Sequence, residues 1–276
     1  MNQDPHSNAL GAGKAVVTGA SSGIGAVYAR RLAERGYDLL LVARDGAKLA
    51  AMAANIQAAT GRRAEIMTAD LTLPAGQRQL EARLASDDAI TMLVNNAGVG
   101  ATAAMVDSDV DSLDAMIQLN VVALTRLTRA IAPRFVARGG GIIINIASIV
   151  AIAPEVLNGT YGGTKAFVLA LTQSLHKELS ERGVQVQVVL PGATRTSFWQ
   201  AAGVPVEHLP QEIVMGAEEM VDAALVGLDR KELVTIPALP DVRDWESFES
   251  ARRALGPNLS LSKPAARYAT ESTAGS

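Results

Sequence analysis

Residues 14–25 read Lys-Ala-Val-Val-Thr-Gly-Ala-Ser-Ser-Gly-Ile-Gly, and the interpretation of the whole chain starts from them. The run from Lys14 to Thr18 is apolar and rich in β-branched residues, which favours a strand, and the stretch from Ala26 to Glu34 favours a helix. The small residues between them allow close backbone approach, and the first N–H groups of a helix favour a phosphate. The alternative is an ordinary strand–helix turn without a ligand. The candidate phosphate-loop residues are Gly19, Ser21, Ser22, Gly23, Ile24 and Gly25.

The same alternation continues along the chain, beginning with the unbroken apolar run from Asp38 to Ala43. Strands separated by helices indicate parallel βαβ units. We predict an α/β fold with a single doubly wound, Rossmann-like parallel sheet flanked by helices on both faces. The further predicted strands are 64–68, 90–94, 142–147, 184–189 and 232–236, and the further predicted helices are 46–59, 75–85, 111–137, 161–182, 217–229 and 244–255.

The domain organisation follows from length and from breaks in this pattern. A chain of 276 residues suits one large α/β domain, which we place at residues 13–256. Residues 1–12 are expected to be a flexible leader and residues 257–276 an irregular tail. Residues 193–216 interrupt the alternation with Gly203, Pro205 and Pro210, and this favours a flap.

Composition excludes several classes of protein. Hydrophobic residues are 49% and charged residues 19%, which argues against disorder, and a net charge of −3 argues against a nucleic-acid partner. No cysteine is present and only three histidines are, so we predict no metal centre and a cytoplasmic location. The N-terminus lacks a basic-then-apolar signal and the chain lacks a long apolar run, so we expect neither secretion nor a membrane partner.

The residue that follows the second strand bears on cofactor choice. An acidic side chain there accepts a hydrogen bond from the 2′-hydroxyl of NAD, whereas an arginine pairs with the 2′-phosphate of NADP. The residue at this position is Arg44, which predicts that the chain prefers NADP to NAD as its cofactor. Its alternative is a solvated loop charge. Asp45 is assigned to the N-cap of the next helix.

Three further segments complete a recognisable set: Asn95-Asn-Ala-Gly98, Ser148, and Tyr161-Gly-Gly-Thr-Lys165. Together with the phosphate loop, the chain resembles the short-chain dehydrogenase/reductases, from about Lys14 to Thr196, and its length matches their shorter oxidoreductase branch. The resemblance implies that Asn96, Ala97 and Gly98 line the adenosine ribose, that Asp70 and the Leu71 backbone meet the adenine, and that Asn95 braces the sheet. It also implies that the segment Pro191, Gly192, Thr194 and Thr196 receives the nicotinamide carboxamide.

Tyr161 and Lys165 carry the chemistry in this interpretation. Reduction of a carbonyl leaves an alkoxide that needs a proton donor, and a phenol can be that donor. Its ordinary pKa is near 10, so work near neutrality asks for a downward shift worth about 4 kcal/mol. Spacing of i, i+4 puts the Lys165 ammonium on the same helical face, where its charge favours the phenolate. The alternative is an ordinary surface pair, and the resemblance also places both residues against the cofactor.

Ser148 and Asn120 are the remaining candidate catalytic residues. Ser148 follows a buried strand, where ligands bind in parallel sheets, and its hydroxyl could orient the substrate oxygen; a strand-end serine is also a common cap. Asn120 lies among apolar residues in a helical stretch. The resemblance implies a water-binding relay from Lys165, and the alternative is a buried structural amide that disturbs its own helix.

Two positions depart from the family pattern. Gly162 and Gly163 stand where family members commonly have Ser or Ala, and two glycines at a helix start cost about 1–2 kcal/mol of local stability. Close approach of substrate or cofactor is one explanation. Thr194 stands where a β-branched aliphatic residue is usual, although a backbone contact would survive that change.

We therefore predict an NADP(H)-dependent oxidoreductase that interconverts a carbonyl and a secondary alcohol, acting on a medium-sized apolar substrate. The flap residues Phe198, Trp199, Val204 and Leu209 either cover that substrate or simply pack the flap against the body. A non-catalytic dinucleotide-sensing protein is the alternative, and a methyltransferase a weaker one. By the resemblance, the helix from Leu113 to Val136 would pack against its copy in a homodimer or homotetramer.

Overall fold

The computed structural model describes residues 13–268, and its first strand is the one that the sequence predicts. The strands are β1 (Lys14–Thr18), β2 (Asp38–Ala43), β3 (Ala64–Thr68), β4 (Ile90–Asn95), β5 (Gly141–Ile146), β6 (Val184–Val189), β7 (Thr194–Arg195), β8 (Met215–Gly216) and β9 (Val234–Thr235). The helices are α1 (Gly23–Glu34), α2 (Gly46–Thr60), α3 (Pro74–Ser86), α4 (Val110–Ile117), α5 (Leu124–Ala137), α6 (Gly159–Leu179), α7 (Phe198–Ala201), α8 (Ala217–Asp229) and α9 (Val242–Ala254).

Seven of the described strands form one parallel sheet in the order β3-β2-β1-β4-β5-β6-β9. The order reverses between β1 and β4, so the connections leaving these two strands diverge and open a crevice at their carboxyl ends. The predicted fold class is confirmed. The candidate residues that follow β1 and β4 therefore share one edge of the sheet.

Both faces of this sheet are buried, which explains the unbroken apolar strands. In β1, Val17 points into the core formed with α1 and α8, and its neighbour Val16 points into the opposite core formed with α3 and α5. Successive side chains alternate between faces, so a strand covered on both sides must be apolar throughout.

The predicted helix at 111–137 is wrong in its middle. Gln118–Ala123 is a π-helical segment between α4 and α5, and Asn120 lies within it, only 2% exposed. π-segments of this kind widen one helical turn and often occur at functional sites. The spacing of apolar residues predicts a helix, but it cannot distinguish α-helical from π-helical hydrogen bonding.

The chain divides into two compact units, the first ending at Pro237 and the second beginning at Ala238. In the second unit, α9 is capped by the Asp241 carboxylate, and Trp245 stacks on Phe248 with ring centroids 5.4 Å apart. The end of our single domain at residue 256 falls inside this unit, and that boundary stays a prediction. The predicted leader, 1–12, and the end of the predicted tail, 269–276, lie outside the described residues.

No helix between residues 13 and 268 is both long enough and apolar enough to cross a membrane.

Candidate active site

The predicted phosphate loop joins β1 to α1 and has no room for a side chain at Gly19 or Gly25. Gly19 has φ +66°, in the left-handed region that favours glycine. A Cβ on Gly25 would lie 2.3 Å from the Gly19 carbonyl oxygen and 2.4 Å from Asn96 Nδ2. Ser22, the N-cap residue of α1, makes no side-chain capping hydrogen bond, unlike the N-cap residues of α2 and α6. The first turn of α1 is thus the kind of N-terminus that binds an anion.

Asn96 and Ala97 lie directly beside this loop. The Thr18 hydroxyl accepts hydrogen bonds from the N–H groups of Asn96 and Ala97, both at 3.0 Å, and donates to Val94 O at 3.3 Å. The Asn96 amide donates to Thr18 O at 2.9 Å. These bonds join the ends of β1 and β4 across the crevice, so two separate predicted segments form one surface. Asn95 instead donates to the Thr128 hydroxyl on α5 and to Asn145 on β5.

The segment from Pro191 to Thr196 reaches the phosphate loop from the other side. A Cβ on Gly23 would lie 3.1 Å from Thr196 Cβ, so the two segments are in contact. The Thr194 carbonyl accepts a hydrogen bond from the Trp199 indole at 3.0 Å, and the Thr194 hydroxyl donates to Gly192 O at 3.1 Å. Pro191 O accepts from the Ile149 N–H at 3.0 Å, which fixes this segment beside the loop that follows β5.

Arg44 and Asp70 lie at the ends of β2 and β3. Arg44 is exposed and Asp70 is half-buried. Burial would raise the pKa of the Asp70 carboxyl, but hydrogen bonds from Thr72 and the charge of Arg44 lower it below its ordinary value. Leu71 is buried. Asp45 caps α2 by accepting from the Lys48 N–H at 3.0 Å, which confirms its predicted capping role and leaves Arg44 as the charged group at the strand end.

Tyr161 and Lys165 lie on α6 and are both buried, at 5% and 6% exposure. The Lys165 ammonium is 5.7 Å from the centroid of the Tyr161 ring and donates to Ile146 O, at the end of β5, at 3.0 Å. The helical spacing therefore brings the two side chains together at the carboxyl edge of the sheet, as the sequence predicts.

The protonation states of this pair differ from the expectation. Burial raises the pKa of the Tyr161 phenol to about 12, and the Ser148 hydroxyl opposes that shift. Burial also lowers the pKa of the Lys165 ammonium to about 8. We expected Lys165 to lower the phenol pKa; in the chain by itself burial dominates and raises it, because a buried phenolate has little water to stabilise it.

Asn120 connects this pair to the loop that follows β4. Its side-chain oxygen accepts from the Val99 N–H at 3.0 Å, and its amide donates to Val99 O at 2.8 Å and to the Thr164 hydroxyl at 3.1 Å. A Cβ on Gly98 would lie 3.1 Å from Asn120 Oδ1 and 3.4 Å from Lys165 Nζ. Thr164 is thus a hydrogen-bond partner of Asn120 that the sequence did not predict. The two residues are far apart in the sequence, so their spacing gives no sign of the contact.

Ser148 is half-buried and lies two residues beyond the end of β5. Its hydroxyl donates to Pro191 O and accepts from the Val150 N–H, both at 3.4 Å, which are long bonds. It caps the short turn that begins at Ile149, which agrees with the prediction that a serine at a strand end acts as a cap. The same hydroxyl opposes the raising of the Tyr161 pKa by burial, and its role in orienting a substrate oxygen stays a prediction.

Apolar side chains surround the phenol. Tyr161, Met116 and Val150 form one buried cluster, and the Phe198 ring lies over it with its centroid 5.8 Å from that of Tyr161. The partly buried side chains that complete the cluster are Val99, Ala101, Leu113, Leu157 and Phe198.

The two ends of the predicted flap pair with each other, and its middle contacts the loop that follows β4. Its ends pair as β7 and β8, and Trp199 is buried. The Thr102 N–H and hydroxyl both donate to Ala202 O, at 3.2 and 2.7 Å. A Cβ on Gly100 would lie 2.3 Å from the end of the Phe198 ring. The loop that follows β4 therefore holds the flap through a hydrogen-bonded carbonyl and a close ring contact.

The two unusual glycines have room around them. A Cβ on Gly162 would meet Pro154 at 3.4 Å, an ordinary contact, and a Cβ on Gly163 would meet nothing within 4 Å. The described residues therefore impose no steric need for glycine at either position. Between residues 13 and 268, no group of three or more potential ligand side chains is placed to hold a metal ion.

Comparison with known proteins identifies the family. The family model described as short chain dehydrogenase matches residues 13–204. A short-chain dehydrogenase from Sphingobium yanoikuyae, solved in complex with NADPH, is 49% identical with a TM-score of 0.91, over 93% of this chain and 100% of that one. The bulky-bulky ketone specific alcohol dehydrogenase from Comamonas testosteroni is 43% identical with a TM-score of 0.87, over 94% of this chain and 99% of that one.

A further relative, described as an uncharacterized oxidoreductase of Staphylococcus epidermidis, is 31% identical over 223 residues, which are 80% of this chain and 93% of the relative. The family match covers the phosphate loop, every strand of the central sheet except β9, and α6, where the site described above is built. The chain therefore belongs to the short-chain dehydrogenase family and is an oxidoreductase of that family.

Proposed function

We propose that this chain is an NADP(H)-dependent carbonyl reductase that acts on medium-sized to bulky apolar ketones, with the corresponding secondary alcohols as products. The observation that carries the proposal is a buried phenol, Tyr161, between a cationic amine on one side and an apolar surface on the other. A phenol can donate a proton, the amine can stabilise its charge, and the apolar surface suits an uncharged substrate.

The residues fit a dinucleotide phosphate at the first turn of α1. The turn lacks a side-chain cap, and the positions of Gly19 and Gly25 exclude side chains, so backbone N–H groups are left to face a pyrophosphate. The Sphingobium yanoikuyae relative was solved with NADPH. We assign Arg44, exposed at the end of β2, to pair with the 2′-phosphate. When bound, NADPH supplies the hydride.

We assign the residues around the reacting carbonyl as follows. Tyr161 donates the proton to the alkoxide oxygen, for which its raised pKa keeps the phenol protonated at neutral pH. Ser148 donates a hydrogen bond that orients the same oxygen. Lys165 stabilises the phenolate that remains and returns a proton to it, and Asn120 holds the water through which Lys165 is then reprotonated. Asn96, Ala97, Gly98, Asp70 and Leu71 bind the adenosine part, and Pro191, Gly192, Thr194 and Thr196 bind the carboxamide.

The apolar cluster around Tyr161 supports an apolar substrate. Val150, Leu157 and Phe198 present hydrocarbon to the phenol, so a charged substrate would lose hydration without a partner. The Comamonas testosteroni relative is described as specific for bulky-bulky ketones. We extend that preference to this chain and expect apolar groups on both sides of the carbonyl to be accepted.

The purified chain tests this proposal. Addition of the chain should quench and blue-shift NADPH fluorescence, and a panel of apolar ketones of increasing size should be reduced. Tyr161→Phe should keep NADPH binding and lose turnover by about 10³-fold, within the range expected for general acid catalysis. Tyr268→Phe, at an exposed position of the second unit, is the matched control and should keep full activity. Equal inactivity of wild type and Tyr161→Phe across the panel would instead favour a dinucleotide-sensing protein.

We also propose that the chain self-associates through the helical segment from Val110 to Ala137. Val110 and Ile117 on this segment are exposed apolar side chains, as is Phe167 on α6. Light scattering tests this, and a monomer at micromolar concentration would contradict it. The cytoplasmic location stays a prediction from the cysteine-free composition.

A further inference from the structure

We propose that Asn158 is a positioning residue that fixes the substrate-facing loop, residues 99–108, against the helix that carries Tyr161. The inference rests on the proposed function, since it assigns a new residue to the same site. Asn158 is 3% exposed and lies three residues before Tyr161, at the N-cap of α6. Neither the family match nor the sequence analysis gives it a role.

The side chain uses both of its polar atoms, in opposite directions. Its oxygen accepts from the N–H groups of Thr160 at 2.9 Å and Tyr161 at 3.3 Å. Its nitrogen donates to Ala103 O at 2.7 Å and to the Ser108 hydroxyl at 3.2 Å. Every hydrogen-bonding group of the amide is therefore paired.

The donor side explains why an asparagine stands here. Capping a helix requires only an acceptor, so Asp, Ser and Thr serve equally well in that role. Only an amide of this length both accepts from the helix and donates to the loop. An asparagine at this position is therefore explained by its hydrogen bonds to Ala103 and Ser108, because capping alone does not require a donor.

The loop that Asn158 holds forms one wall of the site. Asn120 pairs with both backbone groups of Val99 at its start, and Asn158 binds Ala103 and Ser108 further along. Between these points, Ala101 packs in the cluster around Tyr161, and Thr102 holds the flap through Ala202 O. Two buried asparagines therefore set the distance between the phenol and the wall opposite it.

Loss of the Asn158 amide nitrogen as a donor should make the loop of residues 99–108 more mobile while α6 stays capped. Asn158→Asp keeps the size and the cap but turns an acceptor toward Ala103 O, and Asn158→Ser keeps a cap but is too short to reach the loop. We expect the KM for an apolar ketone to rise about tenfold in both variants, with a smaller fall in kcat and with the NADPH Kd within about twofold of wild type.

Amide hydrogen exchange provides a readout that does not depend on turnover. In both variants, exchange at residues 99–103 should become faster while residues 162–165 keep their protection. Ser108→Ala removes the weaker of the two acceptors and should have an intermediate effect. Asp241→Ala removes the cap of α9 in the second unit and is the matched control, which should leave KM and exchange at residues 99–103 unchanged.

The outcomes separate this proposal from the proposed function. A wild-type chain that reduces no ketone contradicts the proposed function, and the exchange measurement still tests Asn158. Unchanged exchange at residues 99–103 in both variants, with only a lower Tm, would reduce Asn158 to an ordinary helix cap and overturn the proposal. If Asn158→Asp does not fold, Asn158→Ser decides.

Discussion

The Lys165 ammonium lies 5.7 Å from the centre of the Tyr161 ring and gives its hydrogen bond to Ile146 O, the backbone end of β5. The amine is thus anchored to the sheet and lies over the phenol ring. Both side chains are almost fully buried, so each resists its charged form: the pKa of Tyr161 is raised to about 12 and that of Lys165 is lowered to about 8. Near pH 7 the phenol is neutral, so the electrostatic cost of burial falls on the Lys165 ammonium.

The first prediction concerns the stability cost of Lys165. Below about pH 8 folding must bury its ammonium; above that pH the folded chain releases the proton while the unfolded chain keeps it up to about 10.5, so stability rises with pH across this window. The total change is at most about 3 kcal/mol. Lys165→Met should therefore unfold at least as late in urea as wild type near pH 7, despite losing activity, and the difference should shift in favour of wild type near pH 9.5. A variant that is less stable at neutral pH, with no pH dependence in the difference, would contradict this.

Ser148 is predicted to act on the phenol as well as on the substrate. Its hydroxyl opposes the raising of the Tyr161 pKa by burial, so Ser148→Ala should raise that pKa further. Loss of one donor near a developing oxyanion typically costs about 10²–10³ in kcat, and we expect a fall of that size with NADPH binding unchanged. Single-turnover rates measure it. Ser174→Ala, at an exposed position on the same helix as Tyr161, should keep the wild-type rate.

Arg44 is predicted to set the cofactor preference. It is the charged residue at the end of β2, and Asp45 is engaged in capping α2. Arg44→Asp should lower the preference for NADPH over NADH by about 10–100-fold, since a charge-assisted pair with the 2′-phosphate is lost and a repulsion is gained. Arg63→Asp makes the same charge change at the start of β3, the opposite edge of the sheet, and should leave the preference unaltered. An unchanged ratio of kcat/KM values in Arg44→Asp would refute the assignment.

The sequence predicts most of the framework because the framework is local. The strands β1 and β2 and the helix α8 have the predicted bounds, since apolar runs and glycine stops are read within a few residues. The site differs from the sequence-based predictions where its contacts join residues that are distant in the sequence. The π-segment around Asn120 accompanies its bonds to Val99 and Thr164, and the raised pKa of Tyr161 reflects burial by several separate elements. The signal for Asn158 was present, since asparagine is a favoured N-cap residue, but its contact with Ala103 was not readable from spacing.

Phe198 is a flap residue whose ring packs against Tyr161, and the last prediction concerns this ring. It covers the phenol at 5.8 Å between centroids and touches Gly100, where a Cβ would lie 2.3 Å from the ring. A bulky ketone must displace this ring to reach Tyr161, whereas a small one needs less room. Phe198→Ala should therefore raise kcat/KM for bulky ketones relative to small ones by about tenfold. Gly100→Ala leaves no room for its Cβ beside the ring, so the ring must shift and the ratio should change in this variant too. Phe248→Ala, in the second unit, removes the same side chain and should leave the ratio unchanged. Equal effects of Phe198→Ala on ketones of every size would mean that the ring only packs the flap, because a side chain outside the substrate's path cannot distinguish one substrate from another.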